Sequence, residues 1–516
     1  MSKEIKHIVV VGGGTAGWLS AGIIAAHYNT NGENAISVTL IESPDVPTIG
    51  VGEGTWPSMR GTLKKLGISE AEFITQCDAS FKQASKFYGW TEGGNDAYYH
   101  PFTMPTGYFD ANLAEHWLSH QGSVPFADAI SSQSVLCAQG LAPKQISTPE
   151  YAFIQNYGYH LDAGKFAALL TNHCKEKLGV KHILDNVVQV QVDEHNDITS
   201  LATEKSGNIE GDLFIDCSGF HALLIDKHYQ VAFESQKHVL FNDSALAAHV
   251  PYETNSAPIA SHTVSTAQTS GWIWDIGLQS RRGVGHVYAS NFISDDQAEQ
   301  QLRQYIADTS KIDSDISIRK LTINPGYRQK FWQNNCVAIG LSAGFIEPLE
   351  ASAIALIELS ATFVAEQLPA NRQIMDVTAK RFNQKFTHRW QRIIEFLKLH
   401  YVLSKRNDSD YWIANRQPET IPEHLKELLD VWQFQTPYQF DTHQTDELFP
   451  AASFQYVLYG MGYPTKLPNR EKRTSSRQFA QQLFNENIQR TKQMMQVLPT
   501  NRELINKIKQ YGLSKV

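Results

Sequence analysis

Cysteine is scarce in this sequence. The 516 residues include five cysteines, at positions 77, 137, 174, 217 and 336, and no two of them form a C-x-x-C pair. Structural zinc sites need closely spaced cysteines, so the pattern argues against a bound metal. Scattered cysteines are typical of reduced thiols, and we expect a cytoplasmic protein without a metal site.

Long apolar runs and basic runs are also missing. Without a stretch of about 18 apolar residues, we expect no membrane span. The chain has 45 basic and 53 acidic residues and no block of basic residues, which argues against a nucleic-acid partner. The N-terminal MSKEIKHIVVVGGG leads directly into a predicted strand, so we expect no signal peptide.

No internal repeat or low-complexity segment occurs either. Hydrophobic residues make up 42% of the chain and charged residues 19%, which is a globular composition. A chain of this length exceeds one simple core, so we expect two or three packed lobes.

The hydrophobic pattern predicts an α/β fold. Residues 7–42 predict a strand, a glycine-rich turn, a helix and a second strand, and residues 337–368 predict a strand, a turn and a long helix. Residues 160–222 predict a helix and short strands, with a hairpin turn at Asn196 and Asp197.

The remaining segments differ in character. Residues 85–150 are rich in Tyr, Phe, Pro and Gly and are expected to be irregular, whereas residues 234–325 predict strands with loops. After about residue 370 the pattern is helical. Its apolar residues recur every three or four positions and predict a core-facing stripe: Phe382, Phe386, Trp390, Ile394 and Leu397.

A dinucleotide fingerprint lies between the first predicted strand and helix. Gly12, Gly14 and Gly17 form G-x-G-x-x-G around Thr15 and Ala16. The first glycine allows a tight turn, and the second lets the backbone approach a pyrophosphate at the helix N-terminus. Glu42 ends the second strand, where an acidic residue commonly binds a ribose hydroxyl.

Two further segments are expected to converge with the fingerprint on one ligand, and these three segments favour FAD over NAD. GDLFIDCSGF, with Asp216, and VAIGLSAGFIEPLEA, with Gly340, Phe345 and Ile346, resemble segments that reach the flavin in FAD-dependent enzymes. The glycine-rich segment PTIGVGEGTWPS supplies further candidate cofactor residues: Gly50, Val51, Gly52 and Glu53. Since one fingerprint alone is present, the protein must receive reduced flavin or electrons from elsewhere.

The motif GWIWDIGL places Trp272 and Trp274 on the same side of one predicted strand. It resembles the W-x-W-x-I-P signature of flavin-dependent halogenases of the tryptophan halogenase family. The resemblance covers nearly the whole chain and includes GGGTAGW, PTIGVGEGTWPS, SFKQASKFYGW, DLFIDCSGF and FIEPLEASAI.

The resemblance implies an α/β fold with a Rossmann-like FAD-binding domain of the flavin monooxygenase type and a mixed β-sheet. Residues 1–370 would form this FAD-binding module, with a substrate insertion at about 80–150 and a β-rich part at about 225–325. Residues 371–516 would form a mainly helical C-terminal module that closes the substrate site.

The resemblance also implies the chemistry. FADH2, O2 and chloride or bromide would yield hypohalous acid, which would pass through a tunnel beside Trp272 and Trp274 to Lys82. An ammonium can hydrogen-bond hypohalous acid, and a lysine whose pKa is lowered by burial can form a haloamine. Lys86 is the competing lysine, interpreted here as an exposed charge on a helix. Glu350 would activate the halogenating species and deprotonate the aromatic intermediate.

A halide would bind the backbone amides of Ser352 and Ala353. Pro348 suits the first turn of a helix, where amides lack intrahelical acceptors. Ala351 stands where the better-known family members have serine. Gly277 replaces the proline of the tryptophan signature, and we expect it to make the tunnel wall more mobile.

The resemblance assigns the aromatic substrate to His100, Phe102 and Phe449. The Tyr-Tyr…Glu cluster that holds free tryptophan is not evident in TPYQFDTHQTDE. Indole, a substituted indole, a phenol, or tryptophan within a larger scaffold are therefore the open substrates.

Two other functions stay open: an FAD-dependent aromatic monooxygenase, and a flavin-binding protein without halogenating activity. The implied partner is a separate flavin reductase that supplies FADH2. The sequence does not determine the oligomeric state, and a homodimer is one alternative.

Overall fold

The computed structural model describes residues 4–30, 32, 35–46, 52–310, 316–441, 447–469 and 477–515. Gly50 and Val51, two of the predicted cofactor residues, lie outside the described residues.

The strands in the described part of the chain are short. In chain order they are β1 His7–Val11, β2 Ser37–Glu42, β3 Gly52–Gly54, β4 Ser80–Lys82, β5 Ala84–Tyr88, β6 Ala97–Pro101, β7 Gly158–Asp162, β8 Lys181–Leu184, β9 Val187–Val192, β10 Ile198–Thr203, β11 Asn208–Glu210, β12 Leu213–Asp216, β13 Phe233–Ser235, β14 Ser244–Pro251, β15 Thr263–Gln268, β16 Gly271–Gly277, β17 Arg281–Tyr288, β18 Ile318–Thr322, β19 Gly326–Arg328, β20 Trp332–Gln333, β21 Cys336–Ala338 and β22 Gly344–Phe345.

The longest α-helices of the described part, α10 and α14, lie in the C-terminal part of the chain. They are α1 Thr15–His27, α2 Ser58–Leu66, α3 Glu70–Gln76, α4 Leu113–Trp117, α5 Phe126–Ile130, α6 Gln133–Ala138, α7 Ala163–Glu176, α8 Asp295–Thr309, α9 Ala353–Glu366, α10 Arg372–Val402, α11 Asp410–Ala414, α12 Glu423–Trp432, α13 Ala451–Gly460, α14 Arg477–Val497 and α15 Asn501–Tyr511.

The chain divides into two compact units. The first comprises Met1–Ala79, Leu161–Gln236 and Asn324–Trp390, and the second comprises Ser80–His160, Lys237–Ile323 and Gln391–Val516. These units do not follow the expected division at residue 370. The segments expected as insertions are grouped with the C-terminal helices, because their strands pair with one another across long stretches of sequence.

The first unit contains a six-stranded sheet in the order β20-β21-β12-β1-β2-β8. All neighbours are parallel except the edge pair β20–β21. From β8 to β21 this is the strand order of a doubly wound dinucleotide-binding fold, which agrees with the expected Rossmann-like class. The strands β1 and β12 are almost wholly buried, as parallel strands covered on both faces must be.

Other predicted elements of the first unit are confirmed. The strands β9 and β10 form an antiparallel pair, and Asn196 has a left-handed φ of 61° in the turn between them. The helix α1 packs against α7 and α9.

The second unit contains a seven-stranded mixed sheet in the order β18-β14-β17-β16-β15-β5-β6. Only the pair β15–β5 is parallel. Apolar residues on one face of β14, β16 and β17 form a core with Ala298, Leu302 and Ile306 of α8. The opposite face carries Trp272 and Trp274.

Three expectations for the second unit were wrong. The helix α8 lies where only strands and loops were expected, and residues 85–150 contain β6, α4, α5 and α6 instead of purely irregular structure. Lys86 lies on the strand β5 and not on a helix.

The predicted stripe on α10 is buried throughout: Phe382, Phe386, Trp390, Ile394 and Leu397. The five cysteines are all buried and free. In the described part of the chain, no helix is both long enough and apolar enough to cross a membrane.

Candidate functional site

The glycine fingerprint forms a tight turn at the carboxyl end of β1. Gly12 has a φ of 115°, and a side chain there would overlap the backbone carbonyl of Cys217. A side chain at Gly17 would in turn overlap the carbonyl of Gly12. These approaches bring the N-terminus of α1 against the end of the sheet, which is the arrangement that the fingerprint predicts.

Three segments distant in sequence meet at this end of the sheet. The backbone amide of Cys217 donates to the backbone carbonyl of Val11 over 2.8 Å, and the amide of Ile339 donates to the backbone carbonyl of Asp216 over 3.0 Å. A side chain at Gly340 would come within 2.7 Å of Ala16, which lies in the first turn of α1. The expected convergence of the three segments is therefore confirmed.

The start of α1 fits a dinucleotide phosphate. Gly14 is the N-cap residue and supplies no side chain to the first amides of the helix. A side chain built at Gly14 would meet no atom within 4 Å, so open space lies in front of these amides. A helix N-terminus with free amides and open space is a favourable site for a pyrophosphate.

Glu42 lies beside this turn at the end of β2. A side chain at Gly13 would overlap the Glu42 carboxylate, which places that carboxylate directly against the turn. Glu42 Oε2 accepts a hydrogen bond from His182 Nε2 over 2.9 Å. The position suits recognition of a ribose hydroxyl, and His182 fixes the orientation of the acid.

Asp216 is fully buried, and its carboxylate is engaged by the chain itself. Oδ1 accepts from the amide of Ser218 over 3.0 Å and from its hydroxyl over 2.6 Å. Oδ2 accepts from the amides of Leu224 and Ile225, each over 2.8 Å. This predicted cofactor residue therefore organises the loop that follows β12.

The other described cofactor candidates lie on short strands. Gly52 and Glu53 lie in β3, and burial raises the pKa of the Glu53 carboxyl to about 7. Phe345 ends β22 and contacts Phe220 with ring centroids 5.9 Å apart, while Ile346 is buried.

Glu350 lies in an unusual turn before α9. Glu350 and Ala351 both have left-handed backbones, with φ of 64° and 55°. For residues other than glycine this conformation costs roughly 1–2 kcal/mol each. A short 3-10 helix, Leu349–Ala351, follows Pro348, and the α-helix α9 begins later, at Ala353, with Ser352 as its N-cap.

The later helix start preserves the predicted halide donors. Ser352 is the N-cap of α9 and Ala353 is its first residue, and amides at the start of a helix have no carbonyl acceptor within that helix. The Glu350 side chain is 5% exposed, and its backbone carbonyl accepts from Trp56 Nε1 over 2.7 Å.

Lys82 ends β4 in the second unit and is 1% exposed. Its Nζ lies 5.3 Å from the centroid of the Phe102 ring, so two predicted residues are neighbours. Lys86 is half-buried and not exposed as expected, and its ammonium lies over the rings of Tyr88 and Tyr99, at 4.3 and 4.9 Å from their centroids.

His160 is a neighbour of Lys82 that the sequence did not single out. In the pairing of β4 with β7, Gly158 is opposite Lys82 and His160 is opposite Ser80, so His160 is the diagonal neighbour of Lys82 on the same face. His160 Nε2 bonds Thr263 Oγ1 at 2.8 Å. Burial and then Lys82 hold the His160 pKa well below its usual range, so the imidazole is neutral.

The predicted substrate residues His100 and Phe449 lie in one aromatic cluster. Their ring centroids are 6.4 Å apart, and His100 Nε2 bonds Ser453 Oγ at 2.9 Å. Phe449 stacks on Phe396 with centroids 3.8 Å apart. Phe396 and Tyr456, whose rings also contact His100, were not predicted.

Trp272 and Trp274 lie on the same face of β16, as predicted from their spacing. Trp272 is fully buried against Trp90, with ring centroids 6.3 Å apart, whereas Trp274 is half-buried. Gly277 continues β16, and its carbonyl accepts a hydrogen bond from the Ser80 hydroxyl.

Comparisons with known proteins identify the family. The family described as Tryptophan halogenase matches residues 7–476. The tryptophan 6-halogenase SttH of Streptomyces toxytricini is 32% identical over 482 residues, with 89% of this chain and 90% of that protein covered.

Solved structures give the same result. A tryptophan halogenase from Shewanella frigidimarina is 53% identical with a TM-score of 0.97, covering 100% of this chain and 99% of its own. The flavin-dependent halogenase Xcc4156 from Xanthomonas campestris is 29% identical with a TM-score of 0.87, and each chain is covered completely, at 100%. The chain belongs to the tryptophan halogenase family and is a flavin-dependent halogenating enzyme.

Proposed function

We propose that this enzyme uses FADH2, O2 and chloride or bromide to halogenate an electron-rich aromatic ring of the indole type, other than free tryptophan. When bound, reduced flavin would give two electrons to O2, and O2 would in turn oxidise one halide to hypohalous acid, with one oxygen atom in the acid and the other in water. In the halogenation step, one hypohalous acid reacts with one aromatic C–H bond and gives one aromatic C–halogen bond and one water.

The observation that carries this proposal is the environment of Lys82. Its side chain is 1% exposed and its ammonium lies beside the Phe102 ring. A surface cation would be solvated, whereas this one faces an aromatic ring and the neutral His160. This environment supports the proposed role, in which Lys82 holds hypohalous acid by hydrogen bonds next to an aromatic substrate.

The proposed role of Glu350 is supported by its burial in a backbone conformation that only its surroundings maintain. Such outliers concentrate at functional sites. In this proposal the carboxylate accepts the proton that leaves the ring carbon after the halogen has bound. The amides of Ser352 and Ala353, at the start of α9, hold the halide.

The proposed substrate class follows from the aromatic cluster and from the segment 436–447. His100 and Phe449 offer ring faces suited to an electron-rich ring. The Tyr438 hydroxyl donates to the backbone carbonyl of Tyr108 and is thus engaged by the chain itself. Residues 442–446 lie outside the described residues.

We also propose a separate flavin reductase as the source of FADH2, because the sequence contains one dinucleotide fingerprint. A cytoplasmic location is supported by the five buried, free cysteines.

A mass-spectrometric screen tests the proposal. Purified enzyme, FAD, a flavin reductase with NADH, and O2 are mixed with chloride or bromide and a panel of tryptophan, indole, substituted indoles and phenols. We expect a halogen isotope pattern on indole-type rings and none on tryptophan.

Other outcomes would change the conclusion in defined ways. Efficient halogenation of free tryptophan would overturn the substrate proposal and leave the chemistry intact. Addition of one oxygen, independent of halide, would indicate a monooxygenase. Flavin oxidation without any product would indicate a flavin-binding protein without activity on small aromatic rings.

A further inference from the structure

The turn before α9 contains two adjacent left-handed residues, neither of which is glycine. Glu350 has φ 64° and ψ 4°, and Ala351 has φ 55°. Such a pair persists only where neighbouring groups enforce it. The amide of Ala351 donates to the carbonyl of Pro348 over 3.0 Å, which closes the turn locally.

A group from elsewhere in the chain holds the carbonyl of the first left-handed residue. Trp56 Nε1 donates to the Glu350 carbonyl oxygen over 2.7 Å. This bond fixes the orientation of the peptide that joins Glu350 to Ala351. The same peptide orientation sets the direction of the Glu350 side chain and of the amides that follow it.

Trp56 is itself anchored at the start of α2. Its backbone carbonyl accepts from the amide of Met59 over 3.1 Å. The helix α2 is tied to α9 by Glu358, whose carboxylate accepts from the hydroxyls of Ser58, over 3.0 Å, and Thr62. Trp56 is thus bonded to α2, and α2 is bonded to α9, the helix that follows the turn at Glu350.

We propose that Trp56 is a positioning residue for Glu350, acting through the Glu350 backbone carbonyl. This inference rests on the proposed catalytic role of Glu350. In this proposal Trp56 acts through its hydrogen bond to the Glu350 carbonyl, so its effect is on how well the Glu350 side chain is oriented. Its loss should therefore lower the rate of halogenation and leave the affinity for substrate unchanged.

The test compares Trp56→Phe with Trp332→Phe. Phenylalanine keeps an aromatic ring and removes the N–H donor. Trp332 is the control, because it also lies in the first unit and its Nε1 also donates to a backbone carbonyl, that of Asn334, over 3.0 Å. Trp332 is fully buried and Trp56 is half-buried, so a general packing effect should be larger at Trp332. We expect kcat to fall roughly tenfold in Trp56→Phe only, with KM and FAD affinity unchanged.

A second readout follows the backbone directly. Amide hydrogen exchange, measured by mass spectrometry, should become faster in the peptide spanning 348–354 in Trp56→Phe and stay unchanged there in Trp332→Phe. A purely structural role of Trp56 would lower the melting temperature without this local effect. If Trp56→Phe does not fold, Trp56→Met also removes the N–H donor, and its flexible side chain fits an irregular space, so it is measured in its place.

Glu350→Gln separates failure of this inference from failure of the proposed function. If Glu350→Gln loses halogenation while Trp56→Phe keeps the normal kcat, the positioning role is wrong and the catalytic role stands. If Glu350→Gln halogenates at the normal rate, the catalytic role fails, and the positioning role fails with it.

Discussion

Trp274 and Gly285 lie directly opposite each other on β16 and β17, and the indole of Trp274 covers the glycine. A side chain built at Gly285 would overlap the indole and would come within 2.5 Å of the carbonyl oxygen of Leu246. The absence of a side chain at residue 285 is therefore what allows the indole to lie flat against the sheet.

Gly285→Ala should displace this indole. Because the added methyl group also meets backbone on its other side, we expect the free energy of unfolding to fall by roughly 1–3 kcal/mol. Urea denaturation followed by tryptophan emission measures both the stability and the change around the indole.

Gly61→Ala is the control for this substitution. Gly61 lies inside α2 and a side chain there would meet nothing within 4 Å, so alanine should stabilise the protein by up to about 1 kcal/mol. Equal stability of Gly285→Ala and the wild type would show that the indole does not occupy this space.

Lys82→Ala should abolish halogenation while flavin binding and flavin oxidation continue. The ammonium is proposed to hold hypohalous acid at the substrate, so we expect the rate of product formation to fall by about 100-fold or more. Product is measured by mass spectrometry, and flavin binding by fluorescence titration.

Lys86→Ala is the matched control, because Lys86 is the other lysine of the same sequence motif. Its ammonium lies over Tyr88 and Tyr99 and has no proposed role in the chemistry. Halogenation at the wild-type rate in Lys82→Ala, or its loss in Lys86→Ala alone, would contradict the assignment.

Asp216 and Glu42 end the two strands that flank β1, and we expect their substitutions to affect different properties. The Asp216 carboxylate accepts four hydrogen bonds from the chain, so Asp216→Asn should lower the free energy of unfolding by roughly 2–4 kcal/mol. Glu42→Gln should instead weaken FAD binding, since Glu42 lies against the glycine turn.

Two measurements on each variant separate these roles. Thermal denaturation in the absence of FAD reports stability, and fluorescence titration reports FAD affinity. If Asp216→Asn is as stable as the wild type and binds FAD weakly, its carboxylate contributes to the cofactor site and not to the loop after β12.

The sequence predicts the first unit well because its signals are local. The turn at Gly12, the hairpin at Asn196 and the buried stripe on α10 each follow from neighbouring residues. The missed helix α8 also had a local signal: Ser294 and Gln297 form a capping box, and S-x-x-Q precedes its apolar positions.

The errors at the site have different physical causes. Lys82 and Lys86 are four residues apart, a spacing that puts two side chains on one face of a helix and also on one face of a strand. The sequence gives no sign of the left-handed turn at Glu350, because glycine and asparagine usually mark this conformation and the turn has Glu350 and Ala351 instead. His160 reaches Lys82 through strand pairing, which hydrophobic periodicity does not specify.

Glu358 gives a prediction about pH. Burial raises the pKa of this carboxyl to about 7, from 4.5 for an unperturbed group. The folded protein therefore holds a proton at Glu358 that the unfolded chain releases above pH 4.5. Stability from this group is fully present below about pH 4.5 and is lost as the pH rises through 7.

Glu358→Gln should remove this loss. Glutamine cannot ionise, and its carbonyl oxygen can still accept from Ser58 and Thr62. The stability of the variant relative to the wild type should therefore increase from pH 5 to pH 8, by roughly 3 kcal/mol over the full titration. Denaturant unfolding at both pH values measures this difference.

Glu503→Gln provides a control of opposite sign. Hydrogen bonds from the backbone and hydroxyl of Thr500 lower the pKa of Glu503, so its carboxylate stabilises the folded protein above the unfolded pKa. The Glu503→Gln variant should lose stability relative to the wild type as the pH rises from the lowered pKa of the folded state toward 4.5, and the difference should then stay constant from pH 5 to pH 8. A constant relative stability of Glu358→Gln from pH 5 to pH 8 would contradict the prediction. The Glu358 carboxyl would then have the same pKa in the folded and unfolded states, and the hydrogen bonds between α2 and α9 would not depend on pH.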